Sequence, residues 1–404
     1  MGKDRRRHSS TSVFFYVYHN RQFTSELLYN YNERKEGKSM GDYLAYDPFS
    51  VCFNILKMRY RDYDESLTSK NFLNPNDKIN VFINLETVYK HLSMIMELEK
   101  KIVIQRDFNE IMISNILNLA AHYKRFFVNN GLDTRVYLYN TDFDSDEFNQ
   151  FKYNEDYRSY YLVKFNDNPK FALLTEKLKG KILPDIRTYC EFIPNVYYIS
   201  AKNIEGSLVP YIIAESDKSR KNLIIGGELY DTQYSVIPNF VNHYIKRNYN
   251  TNAIYSDING YLKDILKKEE IYSENMKSLF GNYSLYCTLM SVLGDRTRSI
   301  DGISGYGLKT LHRELEAGLA QQIIGNETTN PEILGEIFHD GEIKEEFVNN
   351  FYCSSIIPMY QELTGAQKNS ILQQRVDRLD INTLQYLNST KFYNHPLLLE
   401  GLLI

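Results

Sequence analysis

Short apolar runs alternate with longer amphipathic stretches along this chain, and that alternation predicts its elements. Ile79-Asn80-Val81-Phe82-Ile83-Asn84 has the length and character of a buried strand, and Leu85, Val88, Tyr89 and Leu92 follow it at helical spacing. Ile113, Ile116, Leu117, Ala120 and Tyr123 mark the apolar stripe of a helix from about Asp107 to Val128, which Asn129-Asn130-Gly131 stops. Further strands are expected at 135–139, 196–199 and 222–225, with a helix-capable stretch at 206–214 between the last two. Such an order argues for an α/β fold with a parallel-stranded sheet. From Ser273 onward helical patterns dominate, and the chain closes on the apolar 397–404 tail. Four regions follow: an extension at 1–76, an α/β domain at 77–272, a helical region at 273–330 and a C-terminal helical segment at 331–404.

One stretch is distinctive within this plan. Gly294-Asp295-Arg296-Thr297-Arg298-Ser299-Ile300-Asp301-Gly302-Ile303-Ser304-Gly305-Tyr306-Gly307-Leu308-Lys309-Thr310-Leu311 reads as a turn, a glycine-punctuated hairpin and the start of a helix. Gly302, Gly305 and Gly307 can adopt positive φ or admit another backbone, and Lys309 and Thr310 open a helix whose free N–H groups can hold an anion. Such an arrangement grips a phosphate backbone without reading bases.

Composition narrows the chemistry. A formal net charge of −4 gives no global attraction to nucleic acid, so any contact must come from local basic patches. Cys52, Cys190, Cys287 and Cys353 lie far apart without a CxxC pair, and the eight histidines form no HxxxH or HExxH pair, so zinc chemistry has no ligand set. No GxxxxGK[ST] run and no GxGxxG followed by an acid offers a nucleotide site. No apolar run approaches the ~18 residues of a membrane span, which makes a cytoplasmic protein the expectation, in a host cytoplasm if it is viral. No Trp accompanies 34 Tyr and 22 Phe, and with many Asn, Lys and Ile this suggests an AT-rich genome.

The 294–311 run resembles the helix–hairpin–helix signature of the 5′ nuclease (flap endonuclease-like) family, roughly GDxxDNIPGxxGIGxKTA, in register and without a gap. The resemblance implies a PIN-like α/β fold: a parallel-stranded sheet flanked by helices, with an appended helical helix–hairpin–helix region. It also implies two divalent metals held by carboxylates at the C-terminal ends of the sheet, cutting a phosphodiester with a metal-bound hydroxide. Two Mg²⁺ ions about 3.5–4 Å apart repel strongly, so several anionic oxygens are required.

This sequence departs from that ligand set. Where the family's first strand ends in Asp, this chain has Asn84, and where the second ends in Phe-Asp-Gly it has Tyr139-Asn140-Thr141. EADDVIA aligns with Glu205-Gly206-Ser207-Leu208-Val209-Pro210-Tyr211: Glu205 survives, while Ser207 and Leu208 replace acids. In the stretch matching TGDKDLLQL, Glu228 stands for the first Asp, Tyr230 for the second, and Gln233 matches. The hairpin keeps Asp295 but has Arg298 for its next acid. Glu205, Glu228 and Asp295 remain, beside an arginine that can supply the positive charge metals would bring. The expectation is a degenerate centre with no cofactor, or Mg²⁺ or Mn²⁺ at Glu205, Glu228 and Asp295 if the chain is an active 5′ nuclease. Glu86, Asp142 and Asp231 read as solvated loop or cap residues.

For DNA, the candidates are Gly302, Gly305, Gly307, Lys309, Thr310, His312 and Arg313, the basic ones sharing a helix face. Arg296 and Arg298 add charge, unless Arg298 neutralises the acids instead. The segment from Phe148 to Tyr161 occupies the place of the family's arch. Its acids repel phosphate, so it reads as a surface loop with structural aromatics. Expected partners are duplex or branched DNA through backbone contacts, and a protein through the N-terminal extension or the C-terminal tail, in a phage-type setting of replication, packaging or transcription. The alternatives are an active Mg²⁺-dependent 5′–3′ exonuclease or flap endonuclease, and a structural subunit of a larger assembly.

Overall fold

The computed structural model describes residues 76–89, 108–142, 148–157, 176, 178–191, 193–226, 228, 230–248, 251–255, 282–295, 298–326 and 328–375. Residues 1–75 of the extension, Leu92, residues 143–147, the 158–161 part of the arch-like segment, Arg296, Cys52 and the C-terminal tail lie outside these residues.

Six strands form one sheet in the order β3-β2-β1-β4-β5-β6: β1 (Lys78–Asn84), β2 (Asp133–Asp142), β3 (Val196–Lys202), β4 (Lys221–Gly226), β5 (Phe240–Asn248) and β6 (Thr251–Tyr255). The first five pair in parallel, and β6 adds an antiparallel edge to β5. The four strands expected from apolar runs are all present, and the fold is the expected α/β arrangement of a parallel-stranded sheet with flanking helices. β5 and β6 were not expected, because Phe240-Val241-Asn242-His243 and Thr251-Asn252-Ala253 break any apolar run or alternation.

The central strand β1 is buried on both faces, as parallel strands with helices on both sides must be. On one face Val81, Ile83, Val136, Leu138, Leu223 and Ile225 pack under α1 (Phe108–Asn129) and α2 (Leu183–Cys190). α1 follows the expected stripe closely, burying Ile113, Ile116, Leu117, Ala120 and Tyr123. On the other face Phe82, Tyr137 and Tyr197 stack across three strands at centroid spacings of 4.9 and 5.1 Å. That face is covered by α3 (Val209–Ser216), α9 (Ile356–Glu362) and α10 (Gly365–Leu372), through Ile212, Ile213, Ile356, Met359 and Ile371. Asn80 donates to Asn222 Oδ1 across β1 and β4 at 3.0 Å, and the Asn222 amide donates on to the Arg220 carbonyl at 3.2 Å.

A second body of helices lies beyond the sheet: α4 (Tyr283–Leu293), α5 (Leu308–Glu314), α6 (Ala320–Gly325), α7 (Pro331–Gly335) and α8 (Gly341–Ser354). Leu285, Leu289, Leu311, Leu315, Phe347 and Phe351 form its core. Gln233 ties it to the sheet. Its amide donates to the Ser354 carbonyl at 2.5 Å, and its carbonyl oxygen accepts from Ile356 N at 3.0 Å and the Tyr283 hydroxyl at 3.2 Å. Among the described residues no helix is long and apolar enough to cross a membrane.

Candidate functional site

The strand order reverses between β1 and β4, and in open α/β sheets ligands bind at the C-terminal ends of strands beside such a switch. The motif residues gather there. Asn84 ends β1, Asn140 lies near the end of β2, and Glu205 and Glu228 follow β3 and β4. The fifth contributor arrives from the helical body. α4 stops at Gly294, whose φ of 71° places the chain in the left-handed region, and a Cβ there would collide with the Ile300 carbonyl oxygen. Asp295 and Ile300 then pair backbone to backbone, N–H to carbonyl, at 2.8 and 3.1 Å. This tight turn, with Ser299 at φ 56°, aims Arg298 inward.

Arg298 is 0% exposed, and its guanidinium meets all three remnant acids. Nη2 lies 2.9 Å from Glu228 Oε2, Nη1 lies 2.9 Å from Asp295 Oδ2, and Nε lies 3.8 Å from Glu205 Oε2. The Tyr157 hydroxyl bridges two of these groups: it donates to Glu205 Oε2 at 2.7 Å and accepts from Arg298 Nε at 3.1 Å. The Tyr230 ring lies beside the guanidinium, with the centroid 4.8 Å from its carbon. Thus the residue in place of the family's second acid in that motif gives the arginine an aromatic face. Phe148, Tyr157, Ile300 and Cys353 form a small apolar cluster that holds Tyr157 in position.

The amide-for-acid positions have structural uses. Asn84 Oδ1 accepts from the backbone N–H groups of Glu86 and Thr87 at 3.0 and 3.3 Å, capping the helical residues 85–89, and its amide donates to Asp231 Oδ2 at 3.1 Å. Asn140 Nδ2 turns onto the Thr141 carbonyl, Ser207 is buried, and Leu208 packs in the apolar core behind the sheet. Glu86, in the helical residues 85–89, accepts from Thr141 N at 3.1 Å, and Asp142, at the end of β2, accepts from Ser200 Oγ at 3.3 Å; both are half-buried, not fully solvated.

Asp231 corrects the sequence reading. It is not solvated; it is fully buried, and its Oδ2 accepts from the Asn84 amide. Burial pushes its carboxyl up to about 7; the Ser207 hydroxyl, Arg298 and the Asn84 amide oppose the shift, and the like charge of Glu228 adds to it. Between its ordinary value of 3.8 and about 7 the folded chain keeps a proton that the unfolded chain has released, so stability falls as pH rises through that window. Asp231→Asn is expected to flatten this leg. In urea denaturation at pH 5 and pH 8, the variant should lose less midpoint between the two than the wild type; equal losses would reject the assignment.

The donor set does not fit two divalent cations. The guanidinium occupies the space between Glu205, Glu228 and Asp295 that such ions need, and two further positions carry amides. Among the described residues no group of three or more His, Cys, Asp or Glu side chains is arranged to hold a metal ion. Of the two roles open to Arg298, the geometry fits the first: it pairs with the acids, and its side chain is fully buried.

The DNA candidates are arranged differently. Gly302, Gly305 and Gly307 lie on the exposed loop before α5, with Gly305 at φ 81° and Gly302 against the Leu293 carbonyl. Gly307 needs neither freedom; it precedes α5 at φ −77° with open space at its Cβ. Lys309 and Arg313 are exposed on α5, Thr310 is half-buried, and His312 is half-buried with Nε2 3.7 Å from Glu316. Arg313 lies 3.2 Å from its neighbour Glu314. Tyr157 and the burial of Asp231 are the features that sequence reasoning missed. Nothing separated Tyr157 from the other aromatics of its segment, whereas Asp231 adjoined a matched motif.

No protein-family model matches the chain, and no curated protein matches it. Similar solved structures come from bacteriophage T5. One is a flap endonuclease in a pseudo-enzyme–product complex with DNA and metal ions, at 13% identity over 73% of this chain and 98% of that one, with a TM-score of 0.46. Another is a 5′-exonuclease with bound zinc, at 13% identity, 73% and 98% coverage and a TM-score of 0.46. A mutant of the 5′-exonuclease matches at 12% identity, 74% and 99% coverage and a TM-score of 0.43. These structures bear the names of the family that the motifs resemble. At such identity and TM-scores the likeness adds no argument to those from the strand order and the geometry of the site.

Proposed function

We propose that this chain is a catalytically degenerate 5′ nuclease-like protein that binds the DNA backbone through the loop and helix at 302–313, in a phage-type setting of replication, packaging or transcription. One observation carries the degenerate half of this reading: the buried guanidinium of Arg298 between Glu205, Glu228 and Asp295. A metal-dependent nuclease needs those oxygens for cations and an open position for a scissile phosphate. Here the oxygens are paired to the chain itself, and all four side chains are buried.

The DNA half is supported by the exposed Lys309 and Arg313 on α5 and the exposed glycine-containing loop before it. Backbone N–H groups and cations so placed contact phosphates and carry no base readout. Fluorescence anisotropy with a nicked duplex tests it. Binding is expected to persist in EDTA and to weaken with salt. Lys309→Glu with Arg313→Glu should weaken it by about tenfold or more and lower the salt slope by roughly 0.9 for each phosphate no longer neutralised. Absence of duplex binding at low salt, or binding indifferent to the double substitution, would overturn this half.

A further inference from the structure

We propose that Arg298 is a tethered replacement for divalent cations: Glu205, Glu228 and Asp295 form a cation centre whose cation belongs to the chain and which excludes Mg²⁺ and Mn²⁺ while Arg298 is in place. This rests on reading the centre as closed to metal and is independent of DNA contact.

The three acids come from distant parts of the sequence, and each directs a carboxylate oxygen at one guanidinium, at 2.9, 2.9 and 3.8 Å. A fully buried cation meeting three acids is built as a binding site, not as a surface ion pair. The fork of the guanidinium supplies directional donors where a metal would supply charge alone. The Tyr157 hydroxyl completes the cluster from the side, donating to Glu205 at 2.7 Å and accepting from Arg298 Nε at 3.1 Å.

The tether also positions the chain. Arg298 joins the segment bearing Tyr157, the residues after β3 and β4, and the turn that leads into the loop before α5. Asn154 reinforces this junction by donating to the Ser299 carbonyl at 2.7 Å. A diffusible ion could hold the acids together but could not fix that turn from within it.

The test uses the full chain, Mn²⁺ alone, and no nucleic acid, comparing wild type, Arg298→Ser and Arg298→Lys. Binding is read by electron paramagnetic resonance and folding by thermal melting in EDTA or millimolar Mn²⁺. The wild type and Arg298→Lys should melt alike in both conditions and bind no ion in a manner sensitive to Glu205→Gln. Arg298→Ser should melt several degrees lower in EDTA, recover in Mn²⁺, and bind Mn²⁺ stoichiometrically until Glu205→Gln is added. Wild-type Mn²⁺ binding that disappears with Glu205→Gln would overturn the proposal. So would an Arg298→Ser chain equally destabilised, or equally unfolded, in EDTA and Mn²⁺. A chain that fails to bind duplex DNA leaves each of these outcomes readable.

Discussion

Arg298→Met is expected to lower the stability of the fold by about 3–5 kcal/mol at pH 8, the cost typical of removing one partner from a buried ionic cluster. The side chain is fully buried, and methionine approximates its volume, so packing changes little. What changes is charge. Glu205, Glu228 and Asp295 would face one another with no cation between them, and the Tyr157 hydroxyl would lose the Arg298 donor while its bond to Glu205 remained. Carboxylates in such a setting escape by taking up protons. The loss should therefore be smaller at pH 5.5 than at pH 8, because the folded variant binds protons that the unfolded chain releases. Chemical denaturation at both pH values checks this. A loss below about 1 kcal/mol at pH 8, the range of an exposed pair, would show that the cluster is not the buried network described here.

The second large effect expected from the proposed reading is the loss of catalysis. A metal-bound hydroxide and Lewis-acid stabilisation of the phosphate together account for most of the acceleration in two-metal phosphodiester hydrolysis. Each tenfold in rate corresponds to about 1.4 kcal/mol of barrier, so their loss leaves a reaction many orders of magnitude slower. In this chain the acids that would hold the ions are bound to Arg298, Asn84 spends its oxygen on capping a helix, and Tyr230 gives Arg298 a ring instead of a ligand. A phosphodiester would also have to displace Tyr157 to reach Glu205. No single substitution among these would restore a two-metal centre.

Much of this was legible in the sequence, for identifiable reasons. β1 to β4 and α1 could be read because buried parallel strands are continuous apolar runs and α1 keeps a clean stripe. β5 and β6 could not, because their polar residues break any pattern, and only pairing to β4 and to each other makes them strands. The exchange of an acid for Arg298 was visible from the register of the 294–311 run, and so was the choice it posed between neutralising acids and meeting DNA. Its resolution needed the turn at Gly294 and Ser299. Tyr157 was hidden because its partners are 48 and 141 residues away, and no local pattern encodes a contact at that range. Asp231 was misread because an acid next to a strand end is usually solvated. Here the helical turn at Tyr230–Val236 buries it at the C-terminal end of the central strand β1, beside Asn84.

The central claim is that the carboxylate centre is filled by the chain's own cation and does not cut DNA. Incubating the purified protein with a flapped or nicked duplex in Mg²⁺ or Mn²⁺ tests it most directly. The prediction is an intact substrate in both metals, at protein concentrations where the duplex is bound. Cleavage that Asp295→Asn abolishes would contradict it, because it would place a working metal among the acids that Arg298 holds.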